Sequence, residues 1–200
     1  MSPEAVQYIT HYGYTAIFIL IFLQEIGVPN PLPNELVLIF SGYLTFTGAL
    51  FLPFVLLSAV SADIIGATIL FLIFYFFGAY ILSHKPKWLP ISTEKINKLA
   101  LKVSNGGLWP VFLGRVTPFI RGYVSVISGL LQIKPKLYLP LVLITAILVS
   151  CTYVVTGRLL GPYWAVVATD IVKIKFGILA IVILIVSWIL IRHYNKNAKK

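Results

Sequence analysis

Charge is what this chain has least of. Only 11% of its 200 residues are Asp, Glu, Lys or Arg, whereas a soluble domain carries about 25%. So few charges cannot cover a water-soluble globule, and 59% of the residues are hydrophobic. Cysteine is nearly absent. The single thiol, Cys151, rules out an intramolecular disulfide and reads as a packing residue in an apolar run. Histidine is scarce too: His11, His84 and His193 all fall at predicted ends of apolar segments. There is no metal-ligand cluster and no Gly-rich phosphate loop, so no catalytic residue, metal or cofactor is expected, and the chain does not read as an enzyme. The first 84 residues contain no Lys or Arg. A basic n-region is therefore missing, and a cleavable signal peptide does not account for the hydrophobicity.

What is present is a series of apolar zones, roughly 13–50, 53–83, 107–133, 137–161 and 176–192. A helix rises about 1.5 Å per residue, so about 20 apolar residues cross the hydrocarbon. The segments 53–83, 137–161 and 174–192 are long enough to do so. Two zones are interrupted. In 13–47 an apolar stretch ends in QEIGVPNPLPNE, where Pro29, Pro31 and Pro33 forbid a continuous helix. In 107–133 the sequence GLWPVFLGRVTPFIRGYVSVISGLLQI breaks at Pro118, between Arg115 and Arg121.

The net charge of +10 is clustered at segment ends, which reads as a positive-inside signal and not as nucleic-acid binding. With the basic C-terminus in the cytoplasm, 174–192 runs out-to-in, 137–161 in-to-out and 53–83 out-to-in. Residues 84–136, which hold nine of the sixteen basic residues, then start and finish inside. On this reading 107–133 is a re-entrant hairpin, and 13–47 is its counterpart from the outside. Arg158, Lys173 and Lys175 fall at or near the outside, a minor violation. The expected fold is an all-α integral membrane protein, 1–200 as one membrane domain: an inverted repeat of two re-entrant broken-helix hairpins plus spanning helices. The competing arrangement has 5–24 and 36–57 each crossing fully. Residues 85–105 place Ile96, Leu99, Ala100 and Val103 at helical spacing beside Lys95, Lys98 and Lys102. That is the pattern of an interfacial amphipathic helix on anionic lipid, or else of a solvated connector.

The ionisable residues within these zones are the candidate site. Glu25 and Glu35 flank the first break, Arg115 and Arg121 flank the second, and Asp63 sits about ten residues into a spanning helix. An intramembrane charge costs about 2.5–3.5 kcal/mol even on a lenient scale, so each needs a partner or water. The bland readings are a solvated loop for the glutamates, snorkelling for the arginines, and a hydrogen bond to Ser58, Ser61 or Thr68 for Asp63. In one unbroken helix the arginines would lie about 240° apart; the break at Pro118 lets both turn to one cavity. Guanidinium groups grip phosphate oxygens bidentately, and half-helix N-termini add positive potential. Burial disfavours a charged carboxylate, which makes Glu25, Glu35 and Asp63 candidates for proton coupling. Broken helices meeting in an inverted repeat are a transporter pattern. The combination suits an anionic amphiphile moved with, or gated by, protons. A proton- or cation-coupled small-solute transporter would share the carboxylates but need no phosphate grip. An assembly factor would leave the charges unexplained.

The stretch EIGVPNPLPNE (Glu25 to Glu35), followed by Ser41 and Gly42, resembles the first signature of the DedA family, also called the VTT or SNARE-associated domain family. GRVTPFIRG (Gly114 to Gly122), followed by Ser128 and Gly129, resembles the second; Ser128 stands where Ala is frequent. The likeness covers roughly residues 13–161. It implies two opposed re-entrant hairpins, an acidic pair at Glu25 and Glu35 and an arginine pair at Arg115 and Arg121. It implies a flippase or scramblase of a phosphate-bearing lipid in the bacterial plasma membrane. Undecaprenyl phosphate is the foremost substrate, phosphatidylethanolamine or general phospholipid the alternative, and several members are linked to proton-motive force. The expected partners are the bilayer, the lipid headgroup and protons, with no nucleic acid and a homo-oligomer left open.

Overall fold

The computed structural model describes residues 3–28, 32–83, 107–118 and 120–164. The expected interfacial helix at 85–105 and spanning helix at 174–192 lie outside the described residues, as do Pro29 and Pro31. The chain divides into two compact units, Met1–Leu159 and Leu160–Lys200. In the second unit the described residues include a 3₁₀ turn, Gly161–Tyr163. Among its described residues the first unit holds six helices: α1 (Pro3–Glu25), α2 (Asn34–Phe46), α3 (Leu52–Ser83), α4 (Trp109–Val116), α5 (Arg121–Leu130) and α6 (Pro135–Leu159). No strand occurs among the described residues.

Within the described residues, two helices are long and apolar enough to cross a membrane: Leu52–Gly78 in α3 and Pro135–Leu159, which is α6. At 27 and 25 residues they reach about 40 Å and 37 Å, beyond the ~30 Å hydrocarbon core. Their outward side chains are apolar, with Leu57, Phe76 and Ile144 all exposed, a surface suited to lipid and not to water. The zone 36–57 is not one helix. It breaks after Phe46 in a turn, and α2, at 13 residues, is about 20 Å long, too short to span. Conversely, α1 begins ten residues earlier than the apolar zone suggested, at Pro3.

The breaks have local causes. α1 stops in a Schellman motif: Gly27 takes φ +88°, its N–H bonds to Gln24 O at 3.1 Å, and Val28 N–H reaches back to Leu23 O at 2.9 Å. Glycine adopts that left-handed conformation without steric cost. The prolines expected to end this helix are not what ends it: Gly27 does so before the first of them. α4 stops at Thr117, which is extended (φ −74°, ψ 127°), because Pro118 disfavours the helical region for its predecessor. α5 restarts at Arg121 with no side-chain cap.

The packing repeats across the two halves. α1 packs on α3 and α4 on α6, while the second arm of each broken pair packs on the other half's long helix, α2 on α6 and α5 on α3. Small residues permit these approaches. A Cβ on Gly42 would strike the Val154 carbonyl of α6, and one on Gly157 the Ile39 carbonyl of α2. In the other half, a Cβ on Gly129 would come within 2.6 Å of Phe71 O on α3. The glycines of both signature Ser-Gly pairs thus lie at close helix contacts. Three buried apolar clusters form, each drawing on both halves: one around Ile21, Leu38, Val55 and Val154, a second around Phe71, Val111, Tyr138 and Val142, and a third of Leu70, Phe74 and Val126.

Candidate functional site

Between those apolar clusters lies a buried ionic group. Arg115 occupies the last turn of α4 and Arg121 the first position of α5, so the break at 117–120 sets the angle between them. Their side chains converge on one carboxylate. Asp63 Oδ1 accepts from Arg115 Nη2 at 2.5 Å, and its Oδ2 accepts from Arg121 Nη1 at 3.2 Å. Arg121 Nε reaches Glu25 Oε1 at 2.9 Å. All four residues are at most 4% exposed. Two cations and two anions in contact form a neutral group, the arrangement in which buried charges are tolerable.

Glu25 closes α1 and Arg121 opens α5, so each charge sits at the end of its own helix that the dipole disfavours, and the ion pair between them offsets this by setting each against the other's helix end. An added Cβ on Gly122 would lie 4.0 Å from Gln24 O. The two breaks therefore touch.

Hydroxyl groups fix Arg115. Its Nε donates to Thr145 Oγ1 at 3.0 Å and its Nη1 to Ser125 Oγ at 3.0 Å, with Tyr138 Oη at 3.5 Å. Tyr138 Oη in turn donates to Ser125 Oγ at 2.8 Å, and its ring stacks on Phe71 with centroids 4.1 Å apart. All three nitrogens of Arg115 are thus engaged. Arg121 differs, because its Nη2 is buried with no hydrogen-bond partner among the described residues. Several oxygens near the first break are also buried and unpartnered: Gln24 Oε1, Glu25 Oε2, Asn34 Oδ1 and Glu35 Oε2.

The structure thus brings together four of the five ionisable residues singled out from the sequence: Glu25, Asp63, Arg115 and Arg121. Glu35 is buried at 7% exposure but enters no ion pair among the described residues; its neighbour Asn34 touches Glu25 instead, Nδ2 to Oε1 at 3.2 Å. The arginines do not snorkel, and Asp63 bonds across helices to arginines and not to Ser58, Ser61 or Thr68. Sequence reasoning missed Asn34, Ser125, Tyr138 and Thr145. A signal existed: Ser125 follows Arg121 by four, and Tyr138 and Thr145 lie seven apart, so each pair shares a helix face. Among the described residues no group of three or more His, Cys, Asp or Glu could hold a metal ion. Cys151 is a free, partly buried thiol on α6.

The VTT domain pattern matches residues 32–159, well over half of the chain. The chain belongs to the VTT domain family. That span holds Glu35, Asp63, Arg115 and Arg121, while Glu25 lies just before it. The chain is 23% identical to Undecaprenyl phosphate transporter A of Staphylococcus aureus (strain NCTC 8325 / PS 47), over 100% of this chain and 99% of that one. It is 26% identical to the uncharacterized membrane protein YbfM of Bacillus subtilis (strain 168), covering 78% of this chain and 94% of that one. An alkaline phosphatase-like protein of Lactococcus lactis subsp. lactis (strain IL1403) is 24% identical over 98% and 96% of the two chains. No solved structure matches. This VTT domain chain is a helical membrane protein related to a protein named as a lipid phosphate transporter.

Proposed function

We propose that this VTT domain protein is a lipid transporter that moves a phosphate-bearing lipid, foremost undecaprenyl phosphate, across the bacterial plasma membrane. The observation that carries the reading is the convergence of Arg115 and Arg121 on one buried anion position at a helix break. A fork of two guanidiniums is a phosphate receptor, and the outward apolar faces of α3 and α6 suit lipid tails. The name of the Staphylococcus aureus relative supports the same substrate class; phosphatidylethanolamine or another phospholipid would fit the receptor through its phosphodiester.

In this reading α1–α2 and α4–α5 are opposed re-entrant hairpins, entering from outside and inside respectively, with the C-terminus cytoplasmic. The exchange of partners between halves, α2 on α6 and α5 on α3, supports an inverted repeat with the site where the halves meet. The unpartnered carboxylate oxygens of Glu25 and Glu35 are the groups that take up and release protons during transport.

Hydrolysis is the second reading, favoured by the printed name of the Lactococcus relative and by Ser125 beside Arg115. The hydroxyl lacks a base. Ser125 Oγ accepts from Arg115 and Tyr138 and donates to the Arg121 carbonyl at 3.5 Å, so among the described residues no carboxylate or imidazole bonds to it to remove its proton.

The test is translocation of a short-chain fluorescent polyprenyl phosphate in proteoliposomes, with inorganic phosphate measured in parallel. Wild type should move the lipid intact, and Arg121→Lys should fail despite retaining the charge, because an ammonium cannot reproduce the planar fork. Phosphate release would install the enzymatic reading; full activity of the Lys variant would remove the arginine from the headgroup site.

A further inference from the structure

We propose that Asp63 occupies the position that the lipid phosphate takes during transport, so that lipid loads by displacing an internal anion, with Arg121 receiving it first. The inference rests on the lipid-phosphate reading above and adds a mechanism for loading.

Asp63 bridges the arginines as a substrate would. Its two oxygens go to different guanidiniums, Oδ1 to Arg115 and Oδ2 to Arg121. The O–C–O edge of a carboxylate and the O–P–O edge of a phosphate fit the same paired N–H donors. With Asp63 in place the site is charge-balanced, since Arg115 and Arg121 face Asp63 and Glu25. A second anion entering without displacement would meet two buried carboxylates in a low-dielectric surround, where like charges repel strongly. Exchange of one anion for another avoids that.

The two arginines are not equivalent in this exchange. Arg115 is held at every nitrogen, by Thr145, by Ser125 with Tyr138, and by Asp63. It is the fixed wall of the site. Arg121 has Nε on Glu25 and Nη1 on Asp63, but Nη2 is buried with no partner. It is the one buried guanidinium nitrogen without a hydrogen-bond partner among the described residues, and it lies on the same group that holds Asp63 Oδ2. An incoming phosphate oxygen can bond there as Asp63 Oδ2 leaves, and then take over Nη1.

The experiment measures binding of farnesyl phosphate to the full-length protein in nanodiscs, with farnesol as the uncharged control. Asp63→Asn keeps the side-chain shape and removes the competing charge. It should bind farnesyl phosphate roughly tenfold tighter than wild type, the size of one modest charge-assisted interaction, with farnesol binding unchanged. A merely structural role for Asp63 predicts weaker binding, so equal or weaker affinity in a variant that still folds overturns the displacement. A second measurement leaves the site untouched. The chain has two aspartates, Asp63 and Asp170, so ¹³C-aspartate labelling of Asp170→Asn protein isolates the Asp63 carboxylate in the infrared. Its stretching band should shift when farnesyl phosphate is added and not with farnesol; an unmoved band overturns the proposal even if Asp63→Asn does not fold. Failure of wild type to bind farnesyl phosphate at all would overturn the lipid-phosphate reading instead, and displacement with it.

Discussion

The pairing of Arg115 with Asp63 can be measured as a coupling energy. Both are nearly solvent-free, at 1% and 2% exposure, and the contact is a 2.5 Å charge-assisted hydrogen bond. Asp63→Asn leaves Arg115 with neutral partners only, Ser125, Tyr138 and Thr145. Arg115→Gln leaves Asp63 with Arg121 alone. Breaking one side of a buried pair costs about 3–5 kcal/mol. The lower end applies here, because each charge keeps another partner within the cluster. Removing both charges leaves Arg121 facing Glu25, still balanced, so the double variant should be less destabilised than the sum of the singles. The difference should be about 1.5–3 kcal/mol, the upper range for residues in contact. Unfolding in detergent micelles gives the four stabilities, and Trp109, on the same helix as Arg115, gives a local fluorescence signal. A coupling within about 0.5 kcal/mol of zero would refute the reasoning. It would mean that the hydroxyl cage alone holds Arg115 and that Asp63 is not its electrostatic partner.

Three further outcomes are expected. Gly27→Ala should cost about 1–2 kcal/mol from left-handed strain alone, since an added Cβ meets nothing within 4 Å; Gly157→Ala, which drives a Cβ into the Ile39 backbone of α2, should cost about 3 kcal/mol, and thermal unfolding of the two variants ranks them. Glu25→Gln should flatten the pH dependence of lipid translocation in proteoliposomes, because it removes titration at a carboxylate whose Oε2 is buried and unpartnered; an unchanged pH profile would remove Glu25 from proton coupling. In a Cys151→Ala background, Leu32→Cys should react with an impermeant maleimide far more slowly than Thr47→Cys in the exposed turn after α2, and equal rates would place Leu32 in an aqueous loop instead of a re-entrant tip.

Much of this architecture was legible because the bilayer limits the choices. Long apolar runs had to be helices, so α3 and α6 fall within a residue or two of the expected 53–83 and 137–161. Pro118 located the second break, since a pre-proline residue avoids the helical region. The exact end of α1 was less legible, because three prolines drew attention from Gly27, whose left-handed φ is a backbone property that composition does not display. The pairing inside the site was the least legible part. Asp63 lies 52 residues from Arg115 and 58 from Arg121, and no helix periodicity links positions on different helices. The sequence presented the acidic pair of one break and the basic pair of the other as two units. The folded protein mixes them, with Asp63 between the arginines, Glu25 against Arg121, and Glu35 set apart.

That mixing follows from how the halves exchange arms. α5 packs on α3, which brings Arg121 from the second break against Asp63 of the first half's long helix. The matching exchange, α2 on α6, forms no ion pair among the described residues. The α6 residues facing inward at the site are Tyr138 and Thr145, and both are spent on Arg115. The fold is close to symmetric in which helices touch, yet the chemistry is one-sided: one half supplies the carboxylates and the other the guanidiniums. A site whose anions and cations come from different halves is neutral only while the halves stay together. Separating them by even a few ångströms would leave two buried guanidiniums without Asp63 and Glu25, a costly state unless another anion fills the gap. A lipid phosphate is such an anion. On this argument, relative movement of the halves and headgroup loading are one event, and a disulfide locking α3 to α5 away from Asp63 should abolish translocation while leaving the resting protein folded. Translocation that survived such a lock would show that the ionic group stays closed throughout transport and that the lipid passes elsewhere.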